Sequence, residues 1–544
     1  MDKKSILAIA LSFAVLYTYQ TFFVKPLPPK KPAAAQQQVA AVADQATTKE
    51  VIDHRATQKT AAPPSGIVSL QQQQGIVDKD IPVETDEYSA VFSTRGGALK
   101  SFQLKKYRTT IDKNATLIEL VKNKAGLPAP LTVSFGGSDF SVPDNALYES
   151  RMETRAAHPP DTAGQLLFTL EYPGRLKIEK IYRFYRGKYT FDLEVKTTNL
   201  TNSAINQVSS LNWYQLVDPN AEADQYGHDG PVSLVAKKIE REDIKKMSSS
   251  KTLGPDVSWV GFENKYFLSA LIPQTPSLTT LSLAMDLQNT ISLSLKSPKA
   301  VIPPGQAGST SYSLYLGPKD YSLLKASNAG LENAIDFGDW LKWLAMPLLI
   351  SLKFIYNNIV HNYGIAIILL TLSIKLIFWP LGNKSYRSMK EMQKLQPKMA
   401  ELREKYKDDK ARISQEMMAL YKTHKVNPMG GCLPMVIQIP VFFGLYKTLL
   451  FAIELRHSPL LWWIQDLSAK DPYYITPIIM GGTMFLQQKM TPPAGDPMQA
   501  KIMLFMPIIF TVMFLNFPSG LVIYWLFNNI ISIGQQYYIN KQSA

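Results

Sequence analysis

A lysine inside a long apolar run is the residue of this sequence best suited to chemistry. Lys375 lies in the apolar run 363–381, whose other polar residues include Thr371, one helical turn away. A lysine at mid-membrane costs about 2.5–3.5 kcal/mol on insertion scales, so it needs a physical reason to be there. The residue lies roughly 9 Å from the end of its run at 1.5 Å per residue, so a side chain that reaches the lipid headgroups is the alternative to a functional site.

Polar side chains in other apolar runs have matching depth and could surround Lys375. Gln438 lies in the next run, and Asn528 and Asn529 lie in the last one. Polar groups at one depth on several helices can line a water-filled cavity in which a charge stays solvated. No Asp or Glu lies deep enough to neutralise Lys375, so we expect a hydrated groove. Lys447 lies near the outer end of its run, and we expect it to reach the membrane surface.

Signatures of bond-making chemistry are absent from the sequence. It contains a single cysteine, Cys432, which excludes an internal disulfide, and six histidines without ligand spacing. It also lacks HExxH, paired CxxC, P-loop and dinucleotide-binding motifs. We therefore predict a protein that is not an enzyme and that requires no metal and no cofactor.

Six apolar runs predict a polytopic membrane protein. The first, residues 5–24, follows Lys3 and Lys4 and is long enough to cross the bilayer. Its length and the proline-rich segment behind it favour an uncleaved signal-anchor helix (1–24) over a cleaved signal peptide. The other five runs are 363–381, 431–455, 472–488, 502–517 and 520–537.

The distribution of positive charge predicts the orientation. The link 382–430 holds twelve Lys and Arg residues, whereas 456–471 holds two and 516–519 holds none. The positive-inside rule then places the rich link, the N-terminus and the C-terminus in the cytoplasm. Residues 25–338 consequently lie outside, which in a bacterium is the periplasm.

The outer part combines a tether with a β domain. Residues 25–80 are rich in Pro, Ala and Gln and are predicted to be a disordered linker. Residues 81–338 show repeated period-two alternation, for example in 189–196, and predict a large β-sandwich that ends in a helix at 320–335. We expect a docking or spacing module, because no acid pair supports the alternative of a glycan-processing enzyme.

The segments beside the membrane are predicted to be helical. Residues 339–362 mix apolar and charged side chains and predict an amphipathic helix in the interface. Residues 384–427 predict a hairpin of two amphipathic helices with six more positive than negative charges across the link. Such a hairpin is either a solvated coiled coil or a dock for an anionic partner. The candidate docking residues are Lys398, Arg403, Lys405, Lys407, Lys410 and Arg412.

Several ordered motifs resemble those of the bacterial YidC membrane protein insertases, in the Gram-negative form with a large periplasmic domain. The motifs are FSTRGG (92–97), DKARISQEMMAL (409–420), VNPMGGCLP (426–434), QIP (438–440), DLS (466–468), DPYY (471–474), DPM (496–498) and FPSGLVIYW (517–525). The resemblance covers essentially the whole chain. It implies six transmembrane helices, with a core of five at 363–544, together with the periplasmic β-sandwich and the cytoplasmic hairpin.

The resemblance also implies a function and its site. Proteins of this family insert others into the inner membrane, alone or beside the Sec translocon, through a hydrophilic groove open to the cytoplasm and to lipid. The usual groove Arg matches Lys375 here, which keeps the charge but loses the bidentate fork. Thr371, Tyr524 and Trp525 match groove residues near the nascent chain. The implied partners are nascent or newly released membrane proteins, the Sec translocon, membrane lipids and the ribosome, the last through the hairpin rather than the short tail.

A different class of protein is also compatible with a buried cation. A secondary transporter could bind a small anion at Lys375, although such proteins usually show internal repeats with interrupted helices. No such repeat is visible in this sequence. Insertion of membrane proteins is therefore the preferred interpretation.

Overall fold

The structure is a computed structural model, and it describes most of the chain beyond residue 76. The described residues are 68–69, 77–122, 127–153, 162–218, 226–247, 250–286, 288–338, 340–407, 409–424, 426, 433–490 and 497–542. The predicted signal-anchor helix and most of the predicted linker lie outside these residues. The described part divides into two compact units, with residues 395–426 in one and the β domain and the other helices in the second.

Strands fill the region between residues 68 and 318. They are β1 Val68–Ser69, β2 Asp80–Glu84, β3 Tyr88–Ser93, β4 Ala98–Arg108, β5 Leu117–Glu119, β6 Thr132–Ser134, β7 Phe140–Ser141, β8 Glu149–Glu153, β9 Thr162–Tyr172, β10 Leu176–Tyr185, β11 Thr190–Asn199, β12 Ile205–Gln207, β13 Ser210–Leu216, β14 Gly230–Val235, β15 Lys238–Arg241, β16 Lys251–Leu253, β17 Val257–Glu263, β18 Phe267–Pro273, β19 Thr280–Met285, β20 Thr290–Lys296, β21 Ala300–Ile302 and β22 Ala307–Pro318.

Three sheets carry this domain. The largest has nine strands in the order β15-β14-β17-β18-β22-β11-β10-β9-β8, and all its neighbouring strands are antiparallel. A five-stranded sheet (β16-β19-β20-β13-β6) and a four-stranded sheet (β2-β3-β4-β5) accompany it. Two small pairs, β12-β21 and β1-β7, complete the pairing.

Period-two alternation sets the buried face of each long strand. In β11, Leu193 and Val195 are fully buried while Glu194 between them is paired at the surface with Arg183. Aromatic rings then join the sheets, because Phe92 of β3 packs on Tyr182 of β10. Each such ring contributes about 1.5–3 kcal/mol by its burial. These contacts confirm the predicted β-sandwich.

The largely apolar stretch 257–272 is long enough for a single strand, but a turn divides it. It forms two strands, β17 and β18, which pair with each other in antiparallel register. The turn is built by Asn264, whose side-chain oxygen accepts from the N–H groups of Tyr266 and Phe267. A side-chain amide that satisfies two backbone donors stabilises a tight turn that a hydrophobicity pattern does not show.

A buried lysine ties the two sides of the sandwich together. The Lys180 ammonium, on β10, donates to the carbonyl oxygens of Gly96, Gly97 and Leu131 at 2.9, 2.7 and 2.6 Å. Three carbonyls match the three donors of an ammonium group. Burial lowers the pKa of Lys180 to about 7. The contact fixes the loop that carries the FSTRGG motif.

Helices follow the β domain. They are α1 Tyr321–Ala326, α2 Lys342–Asn358, α3 Tyr363–Lys394, α4 Gln396–Lys405, α5 Lys410–Thr423, α6 Leu433–Phe451, α7 Ile475–Met490, α8 Pro497–Phe514 and α9 Ser519–Gln542. The single helix predicted at 320–335 is instead α1 followed by a short 3-10 helix, Leu331–Ala334. Asn328, two residues after the end of α1, has a φ of 54°, a left-handed conformation that ends a helix, and Gly330, with a φ of 75°, begins the 3-10 helix.

Among the described residues, α3 is the one helix whose length and composition suffice to span a membrane. Its 32 residues extend the predicted run 363–381 as a continuous helix to Lys394. Shorter apolar segments lie in α6 (Gln438–Phe451) and α8 (Met503–Phe514). The six crossings and their orientation stay predictions. Helix α9 packs on α3 and α7, α8 packs on α7, and α2 packs on α3 and α6.

The compact unit at residues 395–426 contains two antiparallel helices, α4 and α5. The Tyr421 hydroxyl of α5 contacts the Met399 sulfur of α4, and the Lys398 ammonium lies 3.1 Å from the His424 ring nitrogen. Asp409 caps α5 through the N–H of Arg412. The helical arms are therefore shorter than the predicted hairpin 384–427, because α3 occupies its first residues.

A polar joint connects the β domain to the helices. Lys353 of α2 lies 2.7 Å from the carboxylate of Asp320, which caps α1, and 3.0 Å from that of Glu454, which follows α6. Arg456 donates to the carbonyl of Arg108 at the end of β4. These contacts join the β domain to α1, α2 and the segment that follows α6.

Candidate functional site

Helix α3 places Lys375 against α9. The Lys375 ammonium donates to the hydroxyl of Ser532 at 2.8 Å, and the lysine is half-buried. Within the described part of the chain, no carboxylate lies in ion-pair distance of this ammonium. Its neighbours Leu376 and Ile377 are exposed, as expected for side chains that face lipid. The cation therefore lies at the boundary between the bundle interior and an apolar outer surface.

A chain of hydrogen bonds extends from this contact to a third helix. The Ser532 hydroxyl donates to the carbonyl of Asn528 at 2.7 Å, and the side-chain oxygen of Asn528 accepts from the Gln438 amide at 3.0 Å. The structure thus connects Lys375, Gln438 and Asn528, which the sequence placed at similar depth. The linking residue, Ser532, was missed, although its spacing of four from Asn528 puts both on one helical face.

The other candidate polar residues lie in different surroundings. Thr371 is fully buried and donates to the carbonyl of Ile367 in its own helix at 2.7 Å. Asn529 is buried on the side of α9 that faces α7, where its amide lies 3.4 Å from the hydroxyl of Thr483. Neither residue joins the hydrogen-bond chain of Lys375 in the described part of the structure.

The two aromatic candidates contribute to a cluster instead. Tyr524 is buried and stacks on Phe442 of α6. Trp525 is half-buried, and it packs edge-on against Phe442, stacks on Phe510 of α8 and contacts Phe514 of α8 at a tilt. These rings form a wall that joins α6, α8 and α9, about two turns along α9 from Ser532.

The polar face of α9 continues beyond the predicted residues. The amide of Gln535 donates to the carbonyl of Trp379 at 3.2 Å and to the side-chain oxygen of Asn383 at 2.9 Å. Gly382 makes room for it, because a Cβ there would lie 2.8 Å from the Gln535 nitrogen. Gln536 donates to the carbonyl of Met490 on the opposite side. Buried polar side chains therefore hold α9 between α3 and α7.

The predicted docking residues of the hairpin belong to the compact unit at residues 395–426, and their surroundings are those within that unit. Lys398, Lys405, Lys407 and Arg412 are exposed, and Arg403 is half-buried. The side chain of Lys410 lies outside the described part. The guanidinium of Arg412 lies over the Tyr406 ring, 5.1 Å from its centroid, and the Lys405 ammonium lies 5.4 Å from the same centroid. Positive charge is thus concentrated where α4 and α5 meet.

Metal chemistry has no visible basis in the described residues. They contain no group of three or more His, Cys, Asp or Glu side chains arranged to hold a metal ion.

Two family models match successive parts of the chain. The model described as "YidC periplasmic domain" matches residues 80–351, and the one described as "60Kd inner membrane protein" matches residues 354–544. The boundary between them falls within α2. With the β-sandwich and the helices around a polar face, these matches define an inner-membrane protein that carries a large periplasmic domain.

Two relatives show to which family the chain belongs. The "Membrane protein insertase YidC" of Syntrophus aciditrophicus (strain SB) is 62% identical over 545 residues, with 100% of both chains covered. That of Geobacter metallireducens is 43% identical over 549 residues, with 100% of this chain and 99% of the relative covered. The chain belongs to the YidC family of membrane protein insertases, which confirms the resemblance seen in the motifs. Members of this family are insertases and not enzymes.

A solved structure is also similar. It is described as "Active YidC insertase crystal structure with the first transmembrane domain resolved", and it is 19% identical to this chain. The match covers 87% of this chain and 95% of that one, with a TM-score of 0.38.

Proposed function

We propose that this chain inserts membrane proteins into the bacterial inner membrane through a groove around Lys375. The observation that carries the proposal is the half-buried ammonium, which has a hydroxyl partner on α9 and no carboxylate partner among the described residues. A cation held in this way attracts the carboxylates of an entering segment. Gln438 and Asn528 supply further polar groups that replace hydration lost by that segment.

The chemistry of lysine sets what the groove accepts. An ammonium has three donors and acts as a compact point charge, whereas the fork of an arginine binds a carboxylate in two places. Lys375 therefore favours acidic outer segments through its charge, and it imposes little geometric restriction on the carboxylate that it binds. Thr371 lies one turn away, and its hydroxyl donates to a carbonyl of its own helix. It therefore contributes to the shape of this part of α3 rather than supplying a hydrogen-bond donor.

The hydrophobic effect supplies the driving free energy. Once the polar segment is in the groove, the apolar segment of the substrate moves along the exposed apolar side chains of α3 and past the half-buried ring of Trp525, and then enters the bilayer. Burial of apolar area stabilises the product by about 25 cal/mol per Å². The mechanism needs no nucleotide, metal or cofactor.

The hairpin of α4 and α5 is proposed as the dock for an anionic partner, with the ribosome as the first candidate. Its exposed lysines and arginines match a phosphate-rich surface. Cooperation with the Sec translocon, six crossings and cytoplasmic ends are part of the same proposal. The periplasmic β-sandwich is proposed as a docking or spacing module.

Insertion of a small single-span protein into proteoliposomes tests the proposal. We expect Lys375→Glu to reduce insertion of a substrate with an acidic outer segment by about tenfold or more, because a like charge repels the segment and one such contact is worth about 1.4 kcal/mol or more. Lys447→Ala is the control, since Lys447 lies near the far end of α6, over the Phe451 ring and with its ammonium 3.9 Å from the carboxylate of Asp336. Crosslinks from positions 371, 375 and 525 to a stalled nascent chain would trace the path.

Two outcomes would contradict the proposal. Equal loss in both variants would indicate general destabilisation rather than a groove charge. Uptake of a small anion without insertion of the protein would instead favour a secondary transporter.

A further inference from the structure

The side chain of Lys375 is held by a neighbouring helix. A lysine has a long flexible stem, and one near a membrane surface normally extends toward the headgroups. Here the ammonium instead reaches across to α9 and donates to Ser532, which lies 157 residues later in the chain. The position of the charge is therefore decided by a partner outside α3.

Ser532 is well fixed as that partner. It is only 2% exposed, and its hydroxyl donates to the carbonyl of Asn528, one turn earlier in α9. A hydroxyl has one donor and two acceptor positions, and the contact with Asn528 uses its one donor, so the oxygen is left to accept from Lys375. The oxygen that accepts from Lys375 consequently has little freedom to rotate away.

This arrangement fixes the position of the ammonium and leaves its charge unneutralised. A serine hydroxyl carries no charge, so it holds the cation without cancelling its attraction for a carboxylate. It also uses one of the three donors of the ammonium, so that an incoming carboxylate meets the others at a defined depth. A carboxylate in place of Ser532 would hold the lysine as an ion pair and remove that attraction.

We propose that Ser532 is a positioning residue of the insertase groove, whose hydroxyl holds the Lys375 ammonium at the depth where it binds the carboxylates of an entering substrate segment. The inference rests on the proposed function of Lys375 and adds a residue that acts through it. Ser532 thus determines the preference for acidic over neutral outer segments, and it has no part in the entry of the apolar segment.

The test compares two substrates in proteoliposomes that contain the full chain. The substrates are single-span proteins that differ only in an acidic or a neutral outer segment. We expect Ser532→Ala to lower insertion of the acidic substrate about tenfold, the equivalent of one hydrogen bond to a charged group, and to leave the neutral substrate unchanged. The matched control is Ser373→Ala, because Ser373 is exposed on α3 and donates to its own helix.

A pair of variants of equal shape isolates the hydroxyl. Ser532→Thr keeps it and is expected to retain the preference for the acidic substrate, whereas Ser532→Val removes it and is expected to lose the preference. The pair decides the question even if Ser532→Ala does not fold. Equal preference in the Thr and Val variants would overturn the inference.

Lys375→Met separates this inference from the function on which it rests. If Lys375→Met leaves acidic insertion intact, the proposed function of Lys375 fails. If Lys375→Met removes the preference and Ser532→Ala retains it, only the role of Ser532 fails. A loss in Ser532→Ala that is equal for both substrates also overturns that role. In the Lys375→Met background, Ser532→Ala is expected to cause no further change in the ratio of the two substrates.

Discussion

Lys180 and Lys375 are both shielded from water, but their partners differ. Lys180 is fully buried and donates to three backbone carbonyls of the β domain. Lys375 is half-buried and donates to one hydroxyl. A cation whose donors are all used by its own backbone holds a structure together, whereas one with a single neutral partner keeps its attraction for a ligand.

Replacement of Lys180 tests its structural role. Lys180→Met leaves the buried carbonyls of Gly96 and Leu131 without their side-chain donor, whereas that of Gly97 keeps the hydroxyl of Tyr182. Each unsatisfied buried group costs about 1–3 kcal/mol, so we expect a loss of about 2 kcal/mol or more in the free energy of unfolding. Denaturant unfolding of the full chain measures it. The control is Lys188→Met, since Lys188 is exposed beside Tyr185. A similar small loss in both variants would contradict the assignment.

At the scale of elements, the joint of Lys353 with Asp320 and Glu454 connects the β domain to α2 and α6. Burial opposes ionisation of Asp320, but the hydrogen bond and the charge of Lys353 hold the pKa of this carboxyl below its usual range. Burial likewise opposes the charge of Lys353, but Glu454 and Asp320 raise the pKa of this lysine. A carboxyl whose pKa is lowered by folding stabilises the folded state at pH values above its usual pKa. This stabilisation is lost as the pH falls through the lowered pKa. The contact of Lys353 with Asp320 is therefore fully charged at neutral pH.

Removal of the cation tests this joint. Lys353→Met leaves two carboxylates close together and largely buried, and loss of one member of a buried ion pair costs about 3–5 kcal/mol. We expect faster proteolysis of the connection between the β domain and α2, together with a lower thermal stability. Lys342→Met, on the same helix, removes only a hydrogen bond to Asn333 and is the control. Equal effects of the two substitutions would show that the joint adds little.

Helix α9 is the element that joins the polar residues of the candidate site. Its successive polar residues reach three neighbours: Asn528 contacts α6, Ser532 and Gln535 contact α3, and Gln536 contacts α7. Buried polar contacts of this kind fix the register of packed helices more narrowly than apolar contacts do. The Lys375 ammonium is therefore held at one position beside the exposed apolar side chains of α3.

At the scale of the whole molecule, the exposed charge of the hairpin predicts salt-dependent binding to an anionic partner. We expect Lys405→Gln combined with Lys407→Gln to weaken ribosome binding and to lower the slope of its salt dependence by about 1.5, since each charge contributes about 0.7–0.9. Cosedimentation with ribosomes over a range of salt concentrations measures this slope. Lys394→Gln is the control, because Lys394 is already paired with Glu391 on α3. An unchanged slope would exclude these two lysines from the contact.

The sequence alone determined the β-sandwich and the family, and it singled out Lys375 as the candidate groove cation. Period-two alternation predicted the sandwich, because the two faces of a strand differ in burial wherever one faces a core. The ordered motifs around 426–434 and 517–525 predicted the family, and the cost of a charge in an apolar run singled out Lys375. These features are local, so they can be read along the chain.

Tertiary structure decided which residues meet. Ser532 is an ordinary polar residue in its own helix, and only the packing of α9 on α3 brings it to Lys375, 157 residues away. In the same way, Gly382 is unremarkable until Gln535 fills the space beside it, and the turn at Asn264 divides one apolar run into two strands. Periodicity encodes which face of an element is buried, whereas the partner on that face depends on the register between elements distant in sequence.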